Sequence, residues 1–381
     1  MEAVEALETI SRGEDTRHQF KREISNPESL ASELVAFSNT HGGQLFVGVN
    51  DDGTIAGLSS EEVQKLNQLV SNVSSQGIKP PINVETENIK LPSGLVIVIT
   101  IPDGISKPYM DKDGVIWVKS GSDKRRATGR EEIQRMFQRQ GLIHADETEV
   151  KGLSFSDIDF DYFKTFFYKQ YGTDFDSQEN PLTQILENMN LSHDGTLNVA
   201  GAVLFGKNIA YKVPNFIVKA VAFNGTEEND STYRDKRELK GKLADVFQQA
   251  VSFAMEYGKF HQGRQGFNSN AVPVVPREVM EELLANALVH RDYFVPAAVR
   301  LFVFSDRIEI ISPGHLPNNL TVENIKAGNS VCRNPIISSF ASTLLPYSGI
   351  GTGIRRALKM HPHIDFVDDR EGNCFRAVIW Y

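Results

Sequence analysis

A carboxylate and a carboxamide one helical turn apart, followed later in the chain by a glycine-rich turn, constrain this sequence more than any other feature. The pair is Glu282 and Asn286 within Glu281-Glu282-Leu283-Leu284-Ala285-Asn286-Ala287-Leu288-Val289-His290-Arg291-Asp292-Tyr293, and the turn is Gly349-Ile350-Gly351-Thr352-Gly353. Val279, Met280, Leu283, Leu284, Ala287 and Leu288 recur at helical spacing and mark a buried face. Glu282 and Asn286 share a strip beside that face. A carboxamide oxygen can ligate magnesium while phosphates and waters fill the other positions. The carboxylate one turn earlier can polarise a water for attack on a terminal phosphate. Glycines at alternate positions let backbone approach a phosphate, and a helix N-terminus offers it free amide hydrogens. Glu and Asn at this spacing occur on many exposed helices. The order in which Ser312-Pro313-Gly314-His315-Leu316-Pro317 and the glycine turn follow them gives the pair its meaning.

At 381 residues, with 40% hydrophobic and 23% charged residues, the chain is long enough for two or three domains with their own cores. It contains no apolar run able to span a bilayer, and its acidic opening Met-Glu-Ala-Val-Glu does not read as a targeting signal, so a cytoplasmic location without membrane contact is expected. Cys332 and Cys374 are the only cysteines and form no CxxC pair, which excludes a disulfide framework or a thiolate zinc site. A net charge of −9 argues against indiscriminate polyanion binding but leaves room for a local basic surface. Lys119 to Arg139, with Lys124, Arg125, Arg126, Arg130, Arg135 and Arg139, is the candidate.

The pattern predicts an α/β (α+β) chain in three parts: 1–140, a connector 141–270 and 271–381. In the first, Ser29–Asn39 reads as an amphipathic helix, Gln44–Val49 as a buried strand, Asn50-Asp51-Asp52-Gly53 as a turn and Ser60–Ser74 as a helix capped by Ser59 or Ser60. Val84–Ile89, Leu95–Ile101 and Val115–Val118 read as strands. In the connector, helical or winged-helix-like, Phe155–Tyr171 and Leu182–Asn190 read as helices, Val199–Phe205 and Ile217–Phe223 as strands, and Glu238–Tyr257 as a long helix. Gln262–Ser269 is the linker candidate. In the last part Pro276 suits the first turn of a helix running to His290. Val299–Phe304 and Arg307–Ile311 form a hairpin, and Ile354–Met360 a closing helix.

Glu282–Tyr293, Ser305–Pro317, Arg333-Asn334-Pro335 and Gly349–Arg355 resemble the GHKL-type (Bergerat-type) ATP-binding α/β sandwich of RecG-like transcriptional regulators. The resemblance implies ATP and Mg²⁺ as cofactors, with Glu282 as base, Asn286 as the magnesium ligand and Gly314 in the adenine-side turn. Gly349, Gly351 and Gly353 would contact phosphates, and Asn318–Ser348 would form the mobile lid. Many GHKL proteins carry an aspartate at the position of Ser312, where it reads the adenine amino group; this chain departs there. His290 is expected to pack or to touch the lid. A motor helicase is excluded: that chemistry needs GxxxxGK[ST], and the Gly-Lys pairs at Gly206, Gly241 and Gly258 are followed by Asn208, Leu243 and Phe260 in place of its hydroxyl residue.

Glu14 to about Gly129 resembles the Schlafen-type Alba-like (AlbA_2) domain, through Gln19-Phe20-Lys21, Ala36–Gly43, Phe46–Gly53 and Ile55–Leu58. That family binds nucleic acid, and in Schlafen-type nucleases three acidic side chains cleave RNA with divalent metal, since clustered carboxylates hold ions that stabilise attacking and leaving oxygens. Glu14 and Asp51 or Asp52 would fill two of those positions, but Gln19 stands at the usual second one and weakens metal capture. Lys21, Arg22, Lys124, Arg125, Arg126 and Arg130 are the expected phosphate contacts, a source of affinity and salt dependence with little sequence reading. The chain is expected to be an ATP-responsive nucleic-acid-binding regulator, DNA favoured over RNA, homo-oligomeric and bacterial, with at most weak ATPase activity. The alternative is a Schlafen-like metal-dependent nuclease in phage defence with the GHKL domain as its nucleotide sensor.

Overall fold

In the computed structural model, which describes residues 2–228, 232–262, 271–317 and 320–381, the chain divides into two compact units, Met1–Leu142 and Ile143–Tyr381. The first runs α1 (Ala3–Arg12), β1 (His18–Lys21), α2 (Pro27–Asn39), β2 (Gly43–Val47), α3 (Ser60–Gln76), β3 (Ile78–Lys79), β4 (Glu85–Leu91), β5 (Gly94–Ile101), β6 (Met110–Asp111), β7 (Trp117–Ser120), β8 (Asp123–Arg126) and α4 (Arg130–Arg139). Its four-stranded sheet has the order β1-β2-β5-β4, with β1 and β2 parallel and the other pairs antiparallel. Alternation along the strands assigns the faces. Leu45, Val47, Ile97, Ile99 and Ile101 pack with α2 and α3, while Phe46, Val96 and Val98 pack with Ala6 and Ile10 of α1. The helix starts are written locally: the Asn26 side chain accepts from the Glu28 and Ser29 amides ahead of Pro27, and Ser59 and Glu62 close a capping box on α3. The antiparallel hairpin β7–β8 carries Lys124, Arg125 and Arg126.

The second unit continues with β9 (Glu149–Ser154), α5 (Phe160–Tyr171), α6 (Leu182–Asn188), β10 (Ser192–His193), β11 (Thr196–Asn198), α7 (Val199–Phe205), β12 (Val218–Phe223), β13 (Tyr233–Leu239), α8 (Leu243–Tyr257), β14 (Phe260–Gln262) and β15 (Ala271–Pro273). Then come α9 (Arg277–Val289), β16 (Val299–Val303), β17 (Arg307–Pro313), α10 (Val322–Lys326), α11 (Pro335–Leu344), α12 (Gly353–Met360), β18 (Ile364–Asp369) and β19 (Cys374–Trp380). A small sheet β10-β11-β9 accompanies a six-stranded sheet β13-β12-β16-β17-β19-β18. One core joins Val218, Ala220, Leu301, Ile308, Ile310 and Ile379 of the large sheet to Val246, Phe247 and Ala250 of α8 and Val279, Leu283 and Leu284 of α9. The expected division at 270 therefore runs through a sheet, because β12 pairs in parallel with β16.

Two expected elements are corrected. Val199–Phe205 is helical, not extended. A short apolar run looks alike as a buried strand or a buried helix, and here Asn198 accepts from the Gly201 amide and starts a helix whose Ala200 to Phe205 are all buried. The long helix expected from Glu238 starts at Leu243; the residues before it form β13, an edge strand whose mostly exposed face carries no apolar alternation. The linker candidate falls mainly on residues 263–269, outside the described residues, as do 318 and 319 of the expected lid.

Segment 144–147 clasps α11. The buried Asp146 carboxylate accepts from the Ile336 and Ile337 amides at 2.8 and 3.0 Å, capping a helix 190 residues away. Burial raises the Asp146 pKa from 3.8 to about 6 despite those bonds, with His144 and Glu147 as the nearby charges. A carboxyl whose folded pKa lies above its unfolded value contributes stability that is complete below pH 3.8 and lost as pH rises through about 6. Asp146→Asn keeps an oxygen for both amides and cannot ionise. Chemical denaturation of both proteins should show the variant gaining about 1–3 kcal/mol on the wild type between pH 4 and 7.5; a gap that stays constant would contradict the account.

Candidate functional site

Helix α9 presents Glu282 and Asn286 on adjacent turns, and the structure places them against the start of α12. Glu282 is 8% exposed. Its Oε1 accepts from Asn286 Nδ2 at 3.0 Å, and its Oε2 accepts from Arg356 Nη2 of α12 at 2.8 Å. The carboxylate also lies directly on Gly353, so closely that a Cβ there would overlap it. This residue is thus glycine because a carboxylate occupies the space a side chain would need.

Around this contact one cavity brings together seven residues singled out in the sequence: Glu282, Asn286, Ser312, Gly314, Gly349, Gly351 and Gly353. It encloses about 1020 Å³ of empty space, counting its open mouth. It also has an apolar lining, with Ile310, Leu316, Ile325, Phe366, Phe375 and Ala377. A flat base could lie there while a charged tail reaches the glycine turn, an arrangement usual in ligand sites with few polar groups. Gly314, at φ +93°, makes the turn at the end of β17; a Cβ there would meet Asp292 Cβ at 2.5 Å and overlap the Arg333 guanidinium. Ser312 is buried, and its hydroxyl donates to the Ala287 carbonyl at 2.9 Å. With its proton so used, it offers the cavity an acceptor.

Asn286 fits the role of a single chain-supplied magnesium ligand. Its amide hydrogens are drawn to Glu282, which leaves Oδ1 as the group available to a hard cation. Where such an ion binds, it would neutralise phosphate charge; the chain's own residues orient and enclose.

Arg333, Tyr347 and Ser348 of the expected lid also line the cavity. His290 pairs with the Tyr347 hydroxyl at 2.9 Å, in keeping with a packing, lid-touching histidine. Burial, and then the Arg333 charge, push its pKa down to about 4, so the ring is neutral at pH 7. Asn334 donates to the Val289 and Arg291 carbonyls and so closes the C-terminus of α9. Arg356 and the apolar wall escaped the sequence reading. Arg356 stands 74 residues from Glu282, and no local pattern marks that meeting.

The first unit holds the remaining candidates, and they do not converge on a metal site. Glu14 Oε1 accepts from the Phe20 amide at 2.7 Å. Asp52 accepts from the Thr54 hydroxyl and amide, which lower its pKa, and Asp51 is an exposed turn residue. Among the described residues no three His, Cys, Asp or Glu side chains are grouped to hold a metal ion. Buried Gln19 accepts at 2.8 Å from Lys119, whose ammonium also donates to the Ser122 carbonyl and whose pKa burial lowers. A cation of the chain itself therefore sits beside the position where a second carboxylate was sought.

The six basic candidates divide. Lys124 is tied to buried Glu33 at 2.7 Å, and Arg125 is held by both oxygens of Glu132. Arg126 lies over the Trp117 ring, 5.1 Å from its centroid, and is exposed, as are Arg22 and Arg130. Lys21 is half-buried at the end of β1.

The imidazole environment gives a direct test. Ring-nitrogen NMR should show His290 neutral from pH 8 to 5.5, and an inflection near its ordinary value of 6.5 would contradict the buried pairing with Tyr347.

Comparison with known proteins agrees with this division. Residues 14–128 match the family model described as "Schlafen, AlbA_2", and residues 297–370 match "Putative ATP-dependent DNA helicase recG C-terminal", the HATPase_c_4 model. No curated protein is matched by the sequence. Among solved structures, the DIP2311 protein from Corynebacterium diphtheriae is 18% identical with a TM-score of 0.48, covering 99% of this chain and 80% of that one. The N-terminal domain of a putative ATP-dependent DNA helicase RecG-related protein from Nitrosomonas europaea is 22% identical with a TM-score of 0.26, covering 34% of this chain and 96% of that one. The chain carries a Schlafen AlbA_2 domain at its N-terminus and a RecG-like HATPase_c_4 domain at its C-terminus, an architecture related to nucleic-acid and ATP binding.

Proposed function

We propose that this chain is an ATP-responsive nucleic-acid-binding regulator, DNA favoured over RNA, whose second unit binds Mg-ATP. The observation that carries the reading is the convergence of Glu282, Asn286, Ser312, Gly314, Gly349, Gly351 and Gly353 on one cavity. In this proposal the base lies on the apolar wall with its amino group toward Ser312, and the triphosphate runs to the glycine turn. Asn286 Oδ1 holds magnesium and Glu282 orients the attacking water, which makes hydrolysis a slow reset of a switch. Nucleotide alters nucleic-acid affinity only through unequal affinity for two arrangements of the protein. Arg22, Arg126 and Arg130 are the phosphate contacts best supported by exposure, while Lys124 and Arg125 already serve carboxylates of their own unit.

The surroundings of Glu14 and Gln19 disfavour the metal-nuclease alternative. Glu14 is engaged by a backbone amide, and the Lys119 ammonium on Gln19 repels a divalent cation.

Calorimetry and electrophoretic mobility shift test the proposal. Mg-ATP should bind the wild type, Glu282→Gln should retain binding and lose at least tenfold in turnover, and Mg-ATP should change the mobility shift with duplex DNA. Removing one exposed arginine should weaken DNA binding and lower its salt slope by about one. No nucleotide affinity together with nucleotide-independent DNA binding would remove the reading.

A further inference from the structure

The Glu282–Arg356 pair has a chemical meaning beyond holding two helices together. A carboxylate lies against the glycine that begins α12, at the phosphate end of the cavity, and an arginine from the first turn of that helix grips it at 2.8 Å. The place where a phosphate would gain from backbone access, a helix N-terminus and a guanidinium is already filled by an anion of the chain itself. Thr352, the residue ahead of α12, makes no side-chain cap, so this end of the helix is not closed by its own sequence. The two partners are unequal in freedom: the Glu282 side chain is 9% exposed and the Arg356 side chain 55% exposed. Glu282 also keeps a second bond, to Asn286, when the arginine leaves. The arginine is therefore the partner able to swing.

We infer that Glu282 acts as a stand-in for phosphate and that Arg356 is a two-position residue, gripping Glu282 in the nucleotide-free site and transferring to the nucleotide's phosphate when one arrives. This rests on the nucleotide reading above and adds to it a positioning residue and an order of events. In the nucleotide-free site both oxygens of the carboxylate are already engaged, Oε1 accepting from Asn286 and Oε2 from Arg356. Transfer of Arg356 to phosphate leaves Glu282 bonded to Asn286 alone and able to take a water's proton. The base is thereby released by the group whose hydrolysis it serves, which keeps the empty site inert.

The experiment measures affinities for Mg-ATP and for adenosine, by calorimetry on the full chain, in wild type, E282Q, R356A and R356K. Gln at 282 is isosteric and keeps an oxygen for Asn286, and Arg356 is half-exposed, so all three variants should fold. E282Q should bind Mg-ATP about fivefold tighter, and R356A about fivefold weaker, the factor expected for an ion pair worth about 1 kcal/mol. R356K should recover part of the loss. Adenosine, which lacks phosphate, should bind all four proteins alike. Equal changes for adenosine and Mg-ATP in R356A would show an arginine that only holds the fold, and would overturn the inference. So would E282Q binding Mg-ATP no tighter than the wild type, or R356A binding it as well. Failure of every protein to bind Mg-ATP would remove the underlying nucleotide reading as well, and is thus distinguishable from failure of the transfer alone.

Discussion

The contact between the Glu282 carboxylate and the backbone of Gly353 organises the second unit. It brings a helix whose interior face is cemented into the sheet core to the start of a helix entered through three glycines. Everything else at the cavity is hung from those two elements. Asn334 closes the C-terminus of α9, Asp146 closes the N-terminus of α11, and His290 meets Tyr347 across the gap. The segment expected to cover the site is therefore anchored by buried polar bonds at its base, and carries Leu320, Ile325 and Val331 toward the cavity.

The first unit solves a different electrostatic problem. Its basic hairpin lies on the same unit as Glu33 and Glu132, and those carboxylates absorb two of the cations that a sequence reading offers to nucleic acid. Lys119 is drawn inward to Gln19 and stacks over Phe37 at 4.6 Å. Of the six phosphate-contact candidates, Arg22, Arg126 and Arg130 stand exposed and outside those two ion pairs. Their exposed guanidiniums suit backbone phosphate contact, not base reading.

Much of the site was legible because its residues are constrained locally. Glu282 and Asn286 share one helix, so their spacing alone puts them side by side, and the glycines carry their backbone requirement in their identity. Helix starts at Ser60 and Arg277 were legible for the same reason, through a serine cap and proline placement, whereas the helix expected from Ser29 begins two residues earlier at Pro27. The losses are long-range. Arg356 meets Glu282 only because α12 docks on α9, and β13 is a strand only because β12 lies beside it. The run Val199–Phe205 is buried all round, which erases the periodicity that separates helix from strand. Ion pairing of Lys124 and Arg125 likewise depends on partners that no local pattern reveals.

Hydrogen exchange of the full chain with and without Mg-ATP tests the central claim most directly, since it reports on α9, the segment around Arg333 and the start of α12 together. Added nucleotide should slow exchange in 312–317, 325–335 and 347–356 while leaving α8 and β16 unchanged. Unaltered exchange throughout those three stretches at saturating Mg-ATP would mean that α9 and the glycine turn do not form a nucleotide site.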